Sequence, residues 1–237
     1  LLRQCRLEEA EVSQKTGHQD LVTRWDRRIE KLLRNEILTA FPQDAIVGEE
    51  YPPETHRAES VTWYIDPIDG TTNFINQHQN YAISVGCWEG SVPLFGLVLD
   101  VERKALYWGK HGGGAWQDQT PIHTSVRREL LLTTPGLQYT FLEPHPYQER
   151  MIRLSRKVRG VRCLGSVALE LCEVAAGRAD LFVTMRSSPW DHNAARIILE
   201  EAGGAIFTVA GDELPLEQKS TVLALNSIEL KDCVFAT

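Results

Sequence analysis

The spacing of apolar residues changes along the chain, and each change marks a new kind of element. Between residues 23 and 41, Trp25, Ile29, Leu32 or Leu33, and Leu38 recur at intervals of three to five among charged positions. That is the stripe of an amphipathic helix. Thr23 stands where the helix should begin and Phe41-Pro42 where it should stop. Thr23-Arg24-Trp25-Asp26 also fits the capping box, Ser/Thr-x-x-Asp/Glu. An earlier helical pattern opens the chain at Leu1 to Arg6 and does not read as a signal peptide. Short apolar runs follow, at Ala45–Val47, Val61–Ile65, Tyr81–Trp88, Leu94–Val101 and Ala105–Trp108. Their lengths predict strands, and Glu89-Gly90 with Pro93 predicts a hairpin between the third and fourth. The first half therefore reads as helices followed by an antiparallel sheet.

The second half alternates. Leu130–Thr133, Val161–Leu164, Leu181–Thr184, Ala205–Val209 and Thr221–Leu225 read as strands. Tyr147–Lys157, Ser166–Ala176 and Asp191–Ala202 read as helices, the second capped by Ser166 and ended by Gly177, the third ended by Gly203-Gly204. The chain thus divides into an α+β half, residues 1–125, and an α/β half, residues 126–237, within one compact body. The fold class is α/β.

Charge narrows the function. Lys and Arg total 25 against 32 Asp and Glu, a net charge of −7 over 237 residues. A nucleic-acid polymer would need a basic face, so none is expected as a partner. A small phosphorylated substrate stays open, because a bound metal can supply positive charge locally. No apolar run is long enough to span a bilayer. Five scattered cysteines (Cys5, Cys87, Cys163, Cys172, Cys233) form no Cys-x-x-Cys pair. Reduced thiols in a cytoplasmic protein are expected, with neither a disulfide framework nor zinc.

Candidate chemistry sits at three places. An apolar strand delivers Asp66, the chain turns through Pro67, and Asp69 and Thr71 precede a helix start. Two carboxylates three residues apart at a strand end can point into one space, and hard divalent cations take such oxygen ligands. The amides of Gly70, Thr71 and Thr72 would sit at a helix N-terminus suited to phosphate. The other two places are Gly48-Glu49-Glu50, directly after a strand, and Trp190-Asp191 before a helix. Taken singly, the first reads equally as an Asx turn with an N-cap, while the second reads more readily as a solvated acidic turn and the third as a helix N-cap. His111 and His192 are nitrogen donors, so both are read as non-ligands of a hard ion. Gly112-Gly113-Gly114 lacks the Lys-Ser/Thr of a P-loop and reads as a turn, and Glu200-Glu201 as a solvated helix face.

Taken together, the motifs resemble the inositol monophosphatase family. Asp66-Pro67-Ile68-Asp69-Gly70-Thr71 resembles its first signature, and Trp190-Asp191 through Gly203-Gly204 its second. Gly48-Glu49-Glu50 lies at the expected distance upstream, and the resemblance extends through Lys15, Asp20 to Thr23, Asp26 and Gly165-Ser166. It implies a layered αβαβα sandwich carrying a Mg²⁺-dependent phosphomonoesterase site, in a homodimer. By position, Glu49, Asp66 and the Ile68 carbonyl would hold a first Mg²⁺, and Asp66, Asp69 and Asp191 a second. Glu49 and water would hold a weaker third. Mn²⁺ is a possible substitute, with Ca²⁺ and Li⁺ inhibitory. Thr71, hydrogen-bonded to Asp26, would orient or deprotonate the water that attacks phosphorus directly, with Glu49 also in the catalytic set. Gly70 and Thr71 would bind phosphate, and a loop around Lys15 can close over the metals in the family. Two rivals differ in chemistry: a haloacid-dehalogenase-type phosphatase, which forms an aspartyl-phosphate, and a non-catalytic sugar-phosphate sensor.

Inositol 1-phosphate or a related small sugar or polyol phosphate is the expected substrate. Other branches of the family act on fructose 1,6-bisphosphate, NADP, nucleotide 3′-phosphates or histidinol phosphate. Gly165, Ser166, Thr184 and Arg186 are the candidate substrate-binding residues. In inositol-specific relatives a Glu aligns with Thr184, and Arg186 carries a fork of donors suited to a second anionic group. Strand alternation would put Thr184 and Arg186 on one face unless a turn intervenes.

Overall fold

A computed structural model describes residues 12–14, 21–53, 61–127 and 130–235. The expected helix at Leu1 to Arg6, as well as Cys5, Lys15 and Asp20, lie outside the described residues. After a short hairpin of β1 (Val12–Gln14) and β2 (Leu21–Thr23), helix α1 (Arg24–Ala40) opens at the expected Thr23 cap, and the Thr23–Asp26 capping box is formed. Its inward stripe is Trp25, Ile29, Leu33 and Ile37, while Leu32 is exposed.

Among the described residues, seven strands form one sheet in chain order: β3 (Ala45–Gly48), β4 (Val61–Asp69), β5 (Ala82–Glu89), β6 (Val92–Asp100), β7 (Ala105–Lys110), β8 (Gly114–Gln117) and β9 (Thr120–Ile122). The expected β5–β6 hairpin is present. The sheet is not wholly antiparallel as its short connections implied. β3 and β4 run parallel, with Gly48 opposite Ile65, so the chain leaves β3 with Glu49 beside Asp66. A second sheet has the order β11-β10-β12-β14-β13, from β10 (Leu131–Thr133), β11 (Gly160–Arg162), β12 (Leu181–Ser187), β13 (Ala205–Phe207) and β14 (Ser220–Leu225).

Helices separate and cover these sheets. On the outer face of the larger sheet, α1 packs Trp25 and Ile29 against Ile68 of β4 and Phe74 of the short α2 (Thr71–Asn76). Between the sheets lie α4 (Val167–Ala175) and α5 (Pro189–Glu201), α4 against the smaller sheet and α5 across β4 to β7. Outside the smaller sheet, α3 (Gln148–Lys157) and α6 (Leu230–Phe235) bury Met151, Leu154 and Val234 against Leu132, Leu181 and Leu223. The result is the five-layer αβαβα sandwich.

One row of residues lets α5 lie so close. Gly86, Gly96 and Gly109 are register partners across β5, β6 and β7. A Cβ at Gly96 would fall 2.1 Å from the Ala194 carbonyl oxygen, and one at Gly86 2.9 Å from the Ala194 nitrogen. The sheet thus offers a side-chain-free groove in which Ala194 and Ala195 seat the helix, fixing where its N-terminus ends.

Cys87, Cys163 and Cys172 are free thiols. Among the described residues no helix is long and apolar enough to cross a membrane.

Candidate active site

The site forms where β3, β4 and α5 end together. In a regular strand, residues three apart face opposite ways. Here the β4–β5 register shifts between Asp66 and Asp69, a bulge at Pro67-Ile68. Pro67 has no N–H to lose from the ladder, and Ile68 turns outward into the α1 core. Asp66 and Asp69 are consequently both buried, and the charge of Asp69 raises the proton affinity of Asp66. Asp66 accepts a hydrogen bond from the Ile68 amide (3.0 Å). Asp69 accepts from Ser166 Oγ (2.5 Å) and from the amides of Ala168 (2.7 Å) and Val167 (3.2 Å).

The fourth carboxylate comes from α5, with one correction. Ser188, not Asp191, is the N-cap, since the helix begins at Pro189, earlier than its apolar pattern indicates. Asp191 is the reciprocal member of the capping box and accepts from the Ser188 amide at 2.7 Å.

The electrostatics show that these groups share one space. Burial first, then the negative charges of Glu49, Asp69, Asp191 and Asp26, hold the Asp66 carboxyl far above the ordinary range. Burial lifts Asp69 to about 6, against its bonds to Ser166 and to the Ala168 and Val167 amides. Burial and the neighbouring Asp69 push Asp191 well up. As they stand, no three Asp, Glu, His or Cys side chains among the described residues close round one metal-sized point. Their oxygens lean on amide and hydroxyl donors instead. The donor chemistry nevertheless fits a hard divalent cation: all oxygen, strongly anionic, and lacking a nitrogen competitor. His192 is buried, bonded through Nδ1 to Ser187 Oγ (2.7 Å), and burial drives its pKa down to about 3. His111 is exposed and lies beside Glu201.

Thr71 follows directly. Its hydroxyl donates within reach of Asp26 Oδ1 (3.3 Å) and the Ile68 carbonyl (3.1 Å). Asp26 uses its other oxygen on Thr23, through the amide (2.8 Å) and Oγ1 (2.6 Å). Capping and support of Thr71 therefore coexist in one carboxylate. Gly70 caps α2 at φ +95°, the left-handed region that glycine enters without strain.

The substrate-binding candidates divide. Gly165 packs near Gly70, and Asn73 ties the two loops by donating to the Leu164 carbonyl (2.6 Å). Ser166 is buried and caps α4 while bonded to Asp69. Thr184 closes on its own strand, donating to the Arg186 carbonyl (2.9 Å) and accepting from the Arg186 amide (3.2 Å). A register shift between Thr184 and Ser187 breaks the expected alternation, and Arg186 is exposed with Glu143 at 3.4 Å. Arg186 lines a cavity of about 400 Å³ together with Asp191, Ser188, Thr221 and Lys219. Sequence reading passed over Lys219, which no motif surrounds. Glu201 is not the solvated residue expected, because its carboxylate accepts from the amides of Gly112 and Gly114, each at 2.8 Å.

Comparison with known proteins gives one answer. The model of the inositol monophosphatase family matches residues 1–236. An inositol-1-monophosphatase of Bacillus subtilis is 38% identical over 230 residues, covering 95% of this chain and 86% of the relative. A Staphylococcus aureus inositol monophosphatase II solved with inositol monophosphate bound superposes at a TM-score of 0.81, 29% identical over 88% of this chain and 81% of that one. The same enzyme with 2′-AMP bound superposes at 0.79, with 27% identity over 89% and 86%. These matches make the chain a phosphoric monoester hydrolase. It belongs to the inositol monophosphatase family, whose members are typically Mg²⁺-dependent and whose solved structures share its fold.

Proposed function

We propose that this chain hydrolyses inositol 1-phosphate and related small polyol phosphates at the Glu49–Asp66–Asp69–Asp191 site. The observation that carries the reading is the convergence of Glu49, Asp66 and Asp69 at the ends of β3 and β4 with Asp191 in the first turn of α5. In it, Glu49, Asp66, Asp69, Asp191 and the Ile68 carbonyl would hold two Mg²⁺ ions, with Glu49 at a weaker third. Bound ions would reverse the local charge, admit a phosphate dianion and stabilise the leaving alkoxide. The N–H groups of Gly70 and Thr71 are the phosphate donors at the start of α2. The same reading includes a homodimer, the 1–125 and 126–237 halves as two sides of one cleft, and Mn²⁺ as a substitute with Ca²⁺ and Li⁺ as inhibitors.

The chain's own part in water attack is the Thr71–Asp26 pair. A water donating to Thr71 Oγ1 is connected through that hydroxyl to the Asp26 carboxylate, which can take the proton. Burial raises the proton affinity of Asp26, which suits it to this role. Thr71→Ala is expected to lower kcat by roughly 10²-fold, the size of lost acid–base positioning. Metal binding should survive, since Thr71 brings no charge; a parallel loss of metal affinity would contradict the role.

A second reading concerns substrate breadth, and the cavity favours it. Arg186 and Lys219 both line the space beside Asp191, and a Staphylococcus aureus relative binds 2′-AMP as well as inositol monophosphate. Thr184, bonded to its own strand, reads hydroxyls less strongly than a carboxylate would. In this reading, substrates with an additional anionic group are accepted. A panel of inositol 1-phosphate, fructose 1,6-bisphosphate and NADP tests it in wild type and Arg186→Ala. Selective loss of kcat/KM for the doubly anionic substrates, by roughly 1.5–3 kcal/mol, is expected. Equal loss throughout, or none, leaves inositol phosphate alone in the lead.

A further inference from the structure

We propose that Glu30 and Arg34 of α1 form a buried clamp that sets the position of Glu49, which makes Glu30 a positioning residue for metal binding. The inference rests on the reading of Glu49 as a metal ligand. Glu30 is fully buried. Its carboxylate accepts from the Glu50 amide at 2.7 Å and the Tyr51 amide at 3.3 Å, and from Arg34 Nη1 at 3.2 Å. Arg34 continues through Nη2 to the Pro52 carbonyl at 3.2 Å, and its guanidinium lies 5.8 Å from the centre of the Tyr51 ring. On the near side of Glu49, a Cβ built on Gly48 would come within 2.0 Å of Glu30 Oε1. One carboxylate therefore abuts the residue before Glu49 and binds the two residues after it.

Glu49 follows the last residue of β3, where the pairing with β4 ends. The contacts of its flanking residues then help to set where its side chain meets Asp66. A buried ion pair is a costly way to fill space, and an apolar side chain would pack there with less desolvation. What Glu30 adds is a pair of acceptors aimed at two consecutive amides. That is the role of an outer residue that orients a ligand, whose loss typically weakens metal binding by about 10–100-fold.

The test measures Mn²⁺ binding by electron paramagnetic resonance on the full chain, with thermal melting run beside it. Glu30→Ala should bind Mn²⁺ about 10–100-fold more weakly while still melting cooperatively. Glu30→Gln, which keeps one acceptor oxygen but turns the other into a donor facing an amide or Arg34, should recover only part of that loss. Gly48→Ala should reproduce it from the other side, because the added methyl displaces the Glu30 carboxylate. Should Glu30→Ala not fold, Gly48→Ala and Glu30→Gln decide the matter. Glu49→Gln is the reference. Weakened binding in Glu49→Gln with wild-type binding in Gly48→Ala or folded Glu30→Ala overturns the clamp. Wild-type binding in Glu49→Gln overturns the ligand reading itself, and the clamp with it.

Discussion

Asp66→Asn should abolish phosphate release, by ~10³-fold or more on the scale of lost charge stabilisation at a reacting centre, and should leave a protein that Mg²⁺ no longer stabilises. Asn is nearly isosteric and can still accept from the Ile68 amide, so the local fold should hold. What it removes is the charge lying among Glu49, Asp69 and Asp191. That removal also has a signature without metal. Asp66, Asp69 and Asp191 all titrate above their unfolded values, so the native state binds more protons than the unfolded chain. Stability of the chelated protein is then greatest below about pH 4 as far as these groups decide it, and falls as pH rises through their native values. The rise at Asp69, from 3.8 to about 6, acts in the same direction. Melting in chelator at pH 5 and pH 8 should show a fall in wild type and a smaller one in Asp66→Asn. At pH 8, Mg²⁺ should raise the melting temperature of wild type only. Retained activity in the variant, or an equal rise with Mg²⁺, would contradict the assignment.

Gly96→Ala should cost at least about 3 kcal/mol, the upper range for an overpacked site. The opposing atom is main chain: the Ala194 carbonyl oxygen lies 2.1 Å from where the new methyl would sit, and main chain cannot rotate away. Gly86 and Gly109 flank Gly96 in register, so the helix has no neighbouring gap to slide into without meeting the sheet. Relief requires lifting α5, and α5 carries Asp191. The soluble fraction of Gly96→Ala should therefore lose activity together with stability, although Gly96 touches no substrate. Chemical denaturation and phosphate release on the same sample would show this. A variant as stable as wild type would mean that α5 is not seated in the glycine groove.

The sequence made some parts plain because the signal is local. The Thr23 cap, the β5–β6 hairpin and the Ser166 cap follow from short-range chemistry. Glu49 and Asp66 were legible because each follows an apolar run, whereas Asp191 stood out only through its motif before a helix. Other parts depend on pairing between distant segments. Parallel β3 and β4 could not be read from their lengths, and it is this pairing that puts Glu49 beside Asp66. The bulge at Pro67-Ile68 turns a three-residue spacing into a shared face, and only the partner strand reveals it. Thr184 and Arg186 were expected on one face, and a second register shift separates them. Glu30 left a faint trace: Asp26, Glu30 and Arg34 repeat every four residues beside the apolar stripe of α1, and all three are buried. Charged residues at the spacing of a buried face deserve the question of what they hold. Glu201 was misread for the opposite reason, since its partners, Gly112 and Gly114, lie far away in sequence.

Release of phosphate from inositol 1-phosphate, followed in chelator and then during back-titration with Mg²⁺, bears most directly on the four-carboxylate site. Silence in chelator and recovery that saturates with Mg²⁺ are predicted, with no acid-stable phosphate on the protein at quench. Hydrolysis that proceeds in chelator, or a phosphoryl group trapped on Asp66 or Asp69, would contradict it.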